Sequence, residues 1–139
     1  MRTPRPIPPE LAARTFSLAE AKAAGINPRM LEHDRFTSVY PRVHCLADLV
    51  ITPEEQIAAA RRTLPDDART THTTRLREMG FIHGDLEPLQ FVVPRDLHLE
   101  IEGITLHRTV RMPANDGRGV SAEAVFVSLA VTERSLHTV

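Results

Sequence analysis

The sequence predicts an α+β protein, with a winged helix-turn-helix over residues 1–48 followed by a small helix-and-antiparallel-sheet domain over residues 49–139. Three observations predict it. Helix-cap signals crowd the first 35 residues, the apolar period switches from helical to two between residues 36 and 46, and the later chain alternates apolar and polar residues before a last capped helix. A chain of 139 residues suits one compact domain or two very small ones.

The opening MRTPRPIPP holds four prolines, which fix φ and remove donors. It reads as extended, with Pro9 placed in the first turn of a short helix over residues 10–14. Ser17 and Glu20 have capping-box spacing and Phe16 stands where a hydrophobic staple starts, so a second helix begins at Leu18 and stops at Gly25. Asn27 and Pro28 read as N-cap and first residue of a third helix reaching about Asp34. Phe36, Ser38 and Tyr40 then share one face of a strand. Val39, Val43 and Cys45 serve the other across a turn at Pro41 and Arg42, which predicts a two-stranded ribbon. Helix, helix, short turn, helix and ribbon is the order of a winged helix-turn-helix, whose second motif helix enters the major groove while the ribbon touches backbone.

Thr52, Pro53 and Glu55 supply a second N-cap, N1-proline and N3-glutamate set, and Ile57, Ala60 and Leu64 fall on one face of the helix that follows. A further helix from about His72 to Met79 closes at Gly80, with Leu76 and Met79 inward. Leu89, Phe91 and Val93 alternate in one strand. Leu97, Leu99 and Ile101 alternate against His98, Glu100 and Glu102 in a second, and after a turn at Glu102 and Gly103 residues 104–110 form a third. A loop rich in Pro, Asn, Asp and Gly spans 111–119, and Ser121 caps a last helix through Ala130. Strand edges and the apolar faces of residues 89–110 make self-association, as a homodimer, or docking of a protein partner an expectation for this domain.

Net charge is −1, so any nucleic-acid function has to come from local charge. Residues 1–50 carry seven basic groups against five acidic ones, whereas residues 85–103 carry five acids against Arg95 alone. No apolar stretch approaches the roughly 20 residues of a membrane helix, and the opening has no apolar secretion segment. A cytoplasmic location without membrane contact is expected. The single cysteine, Cys45, excludes an internal disulfide and fits a reducing compartment.

The run PPELAARTFSLAEAKAAGINPRMLEHDRFTSVYPRVHC resembles the amino-terminal winged-helix domain of actinobacterial AbiEi-type antitoxins. The agreement lies in Phe16 to Ala21, in the turn of Ala24, Gly25 and Ile26, in Arg29 and Leu31, and in the ribbon from Arg35 and Phe36 to Val43 and His44. It continues through THTTRLREMGF, PLQFVVPRDLHLEIEGITLHRTVRMP and SAEAVFVSLA, covering roughly residues 8–130. Two departures stand out. Pro41 and Arg42 occupy a wing turn where many relatives have glycine, and the chain stops nine residues after Ala130, so it reads as carboxyl-truncated relative to the family. The resemblance implies a DNA-binding transcriptional regulator that represses its own promoter and, in antitoxin members, neutralises a nucleotidyltransferase-like toxin. The other reading is a protein-interaction module or remnant of a toxin–antitoxin or nuclease-linked protein.

For DNA, the third helix offers Asn27, Arg29 and His33, and the ribbon supplies Arg35, Ser38 and Arg42. Amide and guanidinium groups read base edges, while arginine and serine suit phosphates. Glu32 and Asp34 oppose non-specific binding. No catalytic set is expected: the only lysine is Lys22, so Glu100 and Glu102 lack the acid-x-lysine step of a metal-dependent nuclease. No metal or cofactor is expected either. The seven histidines form no ligand pair at short spacing, His72 and His83 being eleven apart. His44 and Cys45, as neighbours on a strand, point to opposite faces. Asp116 to Gly119 lacks the lysine of a phosphate loop.

Overall fold

The computed structural model describes residues 7–82 and 87–137. Most of the opening segment expected to be extended, and His83, lie outside them. The fold is α+β, with two three-stranded sheets in two compact units, Met1–Leu64 and Pro65–Val139.

In the first unit, proline at the first helical positions starts α1 (Pro9–Ala12), one residue earlier than expected and two residues shorter at its far end. The strand β1 (Phe16–Ser17) leads into α2 (Leu18–Ala23), whose capping box is complete. Ser17 Oγ accepts the Glu20 N–H at 3.1 Å, and Glu20 Oε1 accepts the Ser17 N–H at 3.1 Å. Gly25, at φ 85°, turns the chain after α2. Leu11, Phe16, Ala21, Ile26 and Leu31 form one buried cluster, with Phe36 edge-on to Phe16 at 6.1 Å between ring centroids.

The expected third helix is a single 3₁₀ turn, Met30–Glu32. Its backbone N–H groups bond three residues back, Asn27 Oδ1 also accepts the Met30 N–H at 3.0 Å, and by His33 the backbone is extended. Asn27 thus caps as the sequence suggests. What is missing is a second apolar turn: Leu31 is buried and Met30 packs partly against the same cluster, but His33, Asp34 and Arg35 supply no apolar side chain to continue it.

The ribbon consists of β2 (Phe36–Tyr40) and β3 (Val43–Leu46), with β1 pairing on the other side of β3, so the antiparallel sheet runs β1-β3-β2. A bulge between Ser38 and Tyr40 sets Tyr40 opposite Val43. Tyr40 therefore leaves the face it was expected to share with Phe36 and Ser38, and joins buried Val43 on the side that meets α3 (Pro53–Thr63).

Thr52 Oγ1 accepts the Glu55 N–H at 3.1 Å and Pro53 opens α3, as its caps predict. This helix belongs to the first unit, so the division falls at Leu64 and Pro65 instead of residue 48. Glu55 Oε1 accepts both the N–H (2.8 Å) and the hydroxyl (2.6 Å) of fully buried Thr15 across 40 residues of chain, and Arg62 Nη1 bonds the same Thr15 hydroxyl at 2.8 Å. Burial pushes the Glu20 carboxyl up, but Arg14, the Ser17 N–H and Arg62 outweigh it and hold Glu20 below its usual range.

The second unit contains β4 (Arg69–Thr70), α4 (His72–Glu78), β5 (Leu89–Val93), β6 (Ile104–Arg108) and α5 (Ala122–His137). Its sheet runs β4-β5-β6 and is mixed, not antiparallel: β4 is antiparallel to β5, but β6 is parallel to it. The chain places β6 between β5 and the segment that precedes it. Ile104 pairs with Leu89 on one side and bridges to Ile101 on the other, and Arg108 Nη1 reaches Asp96 at 2.6 Å and the His98 ring at 3.0 Å. Of the expected strand at 97–101 only the Ile101 bridge exists, and Leu99 is exposed. The expected third strand stops at Arg108, leaving Val110 fully exposed.

Leu76, Val92, Val120 and Val125 form the core between this sheet and its helices. Arg75 pins the loop before α5: Nε donates to the Val120 carbonyl at 2.9 Å and Nη2 meets Asp116 at 2.8 Å. Asp116 Oδ1 in turn accepts the Arg118 and Gly119 N–H groups, and these bonds with Arg75 hold its carboxyl far below the usual range. A Cβ at Gly119 would collide with Thr70 Oγ1 and the Arg75 side chain, so only glycine fits. Ser121 Oγ caps α5, which runs on to His137, beyond the expected Ala130. Among the described residues no helix is long and apolar enough to cross a membrane.

Replacing Glu55 with alanine strands the buried Thr15 N–H, at an expected cost of about 2 kcal/mol or more. Urea unfolding of the wild type and Glu55→Ala measures it, and equal midpoints would show that the Glu55 contacts do not hold α3 in place.

Candidate nucleic-acid interface

Among the described residues of the first unit, some basic side chains are held in ion pairs and others are not. Arg14 pairs with Glu20 at 2.7 Å, while Arg62 reaches Glu20 and Glu55, each at 3.3 Å; these guanidinium groups hold the unit together. Lys22, Arg29 and Arg42 are exposed, and their side chains have no partner among the described residues. Arg14 and Glu20 lie six positions apart and Arg62 and Glu55 seven, whereas Glu20 also meets Arg62 from a distant part of the chain.

The structure places the six sequence-predicted residues along one path. Asn27, Arg29 and His33 surround the 3₁₀ turn, which leads within three residues into β2, so Arg35 gathers with them at one end of the ribbon. Asn27 Oδ1 is committed to capping, leaving its amide N–H groups for recognition. His33 Nδ1 accepts the Arg35 N–H at 3.3 Å. Arg35 is half-buried, and its carbonyl accepts the Ala47 N–H at 2.7 Å. Ser38 is exposed halfway along β2 and spends its proton on the Tyr40 carbonyl at 3.2 Å.

Arg42 stands apart at the ribbon tip. At about 3.4 Å per residue, it lies beyond the end of β2, roughly 17 Å from Arg35. Its φ of 62° is left-handed, the conformation glycine favours, and its carbonyl accepts the Leu18 N–H at 3.0 Å. That bond ties the tip to the start of α2, and Lys22 lies one helical turn beyond Leu18. Lys22 was not among the predicted residues, since no local pattern connects it with a hairpin tip twenty residues away. Glu32 and Asp34 are exposed beside the turn and lower the positive potential there.

Burial shifts the cysteine and three of the described histidines. Burial, then Glu55, raises the Cys45 thiol, so it stays protonated. Burial lowers His44, whose Nδ1 is buried without a hydrogen-bond partner. In the second unit the His72 and His107 rings stack at 4.3 Å, and His107 Nε2 donates to Gln90 Oε1 at 2.7 Å. Among the described residues no group of three or more His, Cys, Asp or Glu is placed to hold a metal ion.

No known protein family matches the chain, and neither a curated protein nor a solved structure matches it.

Burial lowers His72, and burial together with the neighbouring His72 lowers His107. The unfolded chain therefore takes up protons near 6.5 that the folded chain refuses, so stability is expected to fall as pH drops through that value. Melting temperatures between about pH 7.5 and 5.5 report it. The double variant His72→Asn, His107→Gln should flatten the slope, and an unchanged slope would remove the pair as its source.

Proposed function

We propose that the first unit is a winged helix-turn-helix that binds duplex DNA, and that the protein is a cytoplasmic, non-catalytic transcriptional regulator of the AbiEi antitoxin type acting at its own promoter. The observation that carries this reading is a set of unpaired, exposed basic side chains: Arg29 on the 3₁₀ turn at one end of the ribbon, Arg42 at its tip, and Lys22 in the last turn of α2. Arginine forks suit guanine edges and phosphates, and backbone contacts at two separated points fix register on a duplex. With so short a turn, base reading falls to Arg29 and the amide of Asn27, while Arg42 and Ser38 suit the phosphate backbone. The resemblance of residues 8–45 to antitoxin winged helices supports the same assignment, with a nucleotidyltransferase-like toxin as the partner of the second unit.

A second reading is a protein-docking module. The exposed Phe81, Phe126 and Val127 favour it, the two phenyl rings lying 6.4 Å apart on the second unit. A homodimer through this face would supply paired half-sites for DNA.

Gel-shift titration against the protein's own promoter and random duplex separates the readings. Arg29→Ala should lose about 1–3 kcal/mol of promoter discrimination. Arg42→Gly should weaken both duplexes alike and reduce the salt dependence, without loss of stability, because glycine suits the left-handed turn. Equal, salt-insensitive binding by all three proteins would sink the DNA reading and leave protein docking.

Plasmid incubated with the protein and magnesium or manganese should stay intact, since Glu100 and Glu102 have no lysine beside them. Cleavage that follows the purified protein and vanishes in Glu100→Ala would overturn the non-catalytic assignment.

A further inference from the structure

We infer that the second unit carries an anion site of its own: the crevice beyond the carboxyl ends of β5 and β6 binds the phosphate group of a small molecule. It is independent of the DNA reading. Because β5 and β6 are parallel, both leave the sheet on the same side, β5 into Pro94 and Arg95 and β6 into Thr109 and Val110. Beyond the Thr109 N–H bond to the Val93 carbonyl at 3.0 Å the two connections border an open gap, at the strand ends where doubly wound α/β sheets take their ligands. Here the gap measures about 570 Å³, within the range of small-molecule pockets, and is lined by Pro94, Arg95, Asp96, Arg108, Thr109 and Val110.

The lining has the chemistry for an oxyanion. Each wall supplies a guanidinium, and the one carboxylate among the six, Asp96, is already engaged by Arg108. Arg108 spends only Nη1, on Asp96 at 2.6 Å and the His98 ring at 3.0 Å. Its Nε and Nη2 have no partner among the described residues. These two atoms share one edge of the guanidinium, the fork that matches two oxygens of a phosphate. Arg95 is steadied through Nε and Nη2 by Asp67, each at 3.3 Å, and keeps Nη1 unengaged among the described residues. The free Nε and Nη2 of Arg108 and the free Nη1 of Arg95 offer donors for three oxygens, a number that a phosphate monoester has and a carboxylate lacks. Pro94 and fully exposed Val110 give an apolar wall for the rest of the molecule, and the gap is of a size that admits a mononucleotide.

The test is a nitrogen-15 NMR titration of the full chain with inorganic phosphate, adenosine monophosphate and succinate. Saturable shifts at the amides of Arg95, Arg108 and Thr109 are expected with the two phosphates. Affinity should fall at least tenfold in Arg108→Gln and also in Arg95→Gln, both partly exposed positions whose variants fold by the same spectra. The proposal is overturned by the absence of saturable shifts at tens of millimolar phosphate, by unchanged affinity in both variants, or by succinate binding as tightly as phosphate. Shifts produced at these amides by duplex DNA but not by either phosphate would also overturn it.

Discussion

One guanidinium, that of Arg62, organises the first unit. It lies between Glu20 and Glu55, and each carboxylate also serves elsewhere. Glu20 closes the capping box that starts α2, while Glu55 satisfies the buried N–H and hydroxyl of Thr15. With those donors satisfied, Phe16 can enter the core beside a strand, and β1 can pair with β3. An unsatisfied N–H at fully buried Thr15 would cost about as much as several surface ion pairs contribute together. The ribbon tip depends on the same arrangement, since the Leu18 N–H that follows the capping residue bonds the Arg42 carbonyl. That bond is what offsets the strain of a non-glycine residue at φ 62°.

The second unit solves a different problem, an apolar strand followed by a chain too short for a helical crossover. Residues 94–103 pass across the sheet end and descend along the outer flank of β6, held there by the Ile101 bridge and the Arg108 contacts to Asp96 and His98. That path makes β5 and β6 parallel and opens the crevice at their ends. Arg75 performs at the opposite flank what Arg62 does in the first unit, joining α4 to the loop before α5 through Asp116 and the Val120 carbonyl. Gly119 has no Cβ because that loop lies directly against Thr70 and Arg75.

What was legible in the sequence was local. Ser17 with Glu20, Thr52 with Pro53, Asn27 with Met30, Gly25, Gly80 and Ser121 all mark helix starts and stops through contacts within four residues, and they sit where the sequence places them. Strand partners were not legible. Alternation of Leu97, Leu99 and Ile101 is a strand pattern, yet it carries no information about whether residues 104–108 will intervene and claim the edge of β5. The two-residue strands β1 and β4 are too short for any periodicity. Helix length failed at residues 27–34 for the same reason in reverse: cap chemistry announces a start, but only packing sustains a second turn, and past Met30 and Leu31 no apolar side chain follows until Phe36.

The candidate site follows this division between near and far. Sixteen of the seventeen basic residues are arginine, so residue type alone separates nothing. Folding separates them instead. Arg14, Arg62 and Arg75 are taken up by Glu20, Glu55 and Asp116, partners from 6 to 41 positions away, while Arg29 and Arg42 have no side-chain partner among the described residues. In the first unit the charge of Arg14 and Arg62 is offset by Glu20 and Glu55, whereas an unpaired arginine keeps its charge and its whole fork for phosphate or guanine. Net charge near zero therefore says little about nucleic-acid affinity in this chain. The relevant quantity is the charge left over once the structural ion pairs are formed, and in the first unit the unpaired part of it lies on the helical turn, the ribbon tip and the last turn of α2.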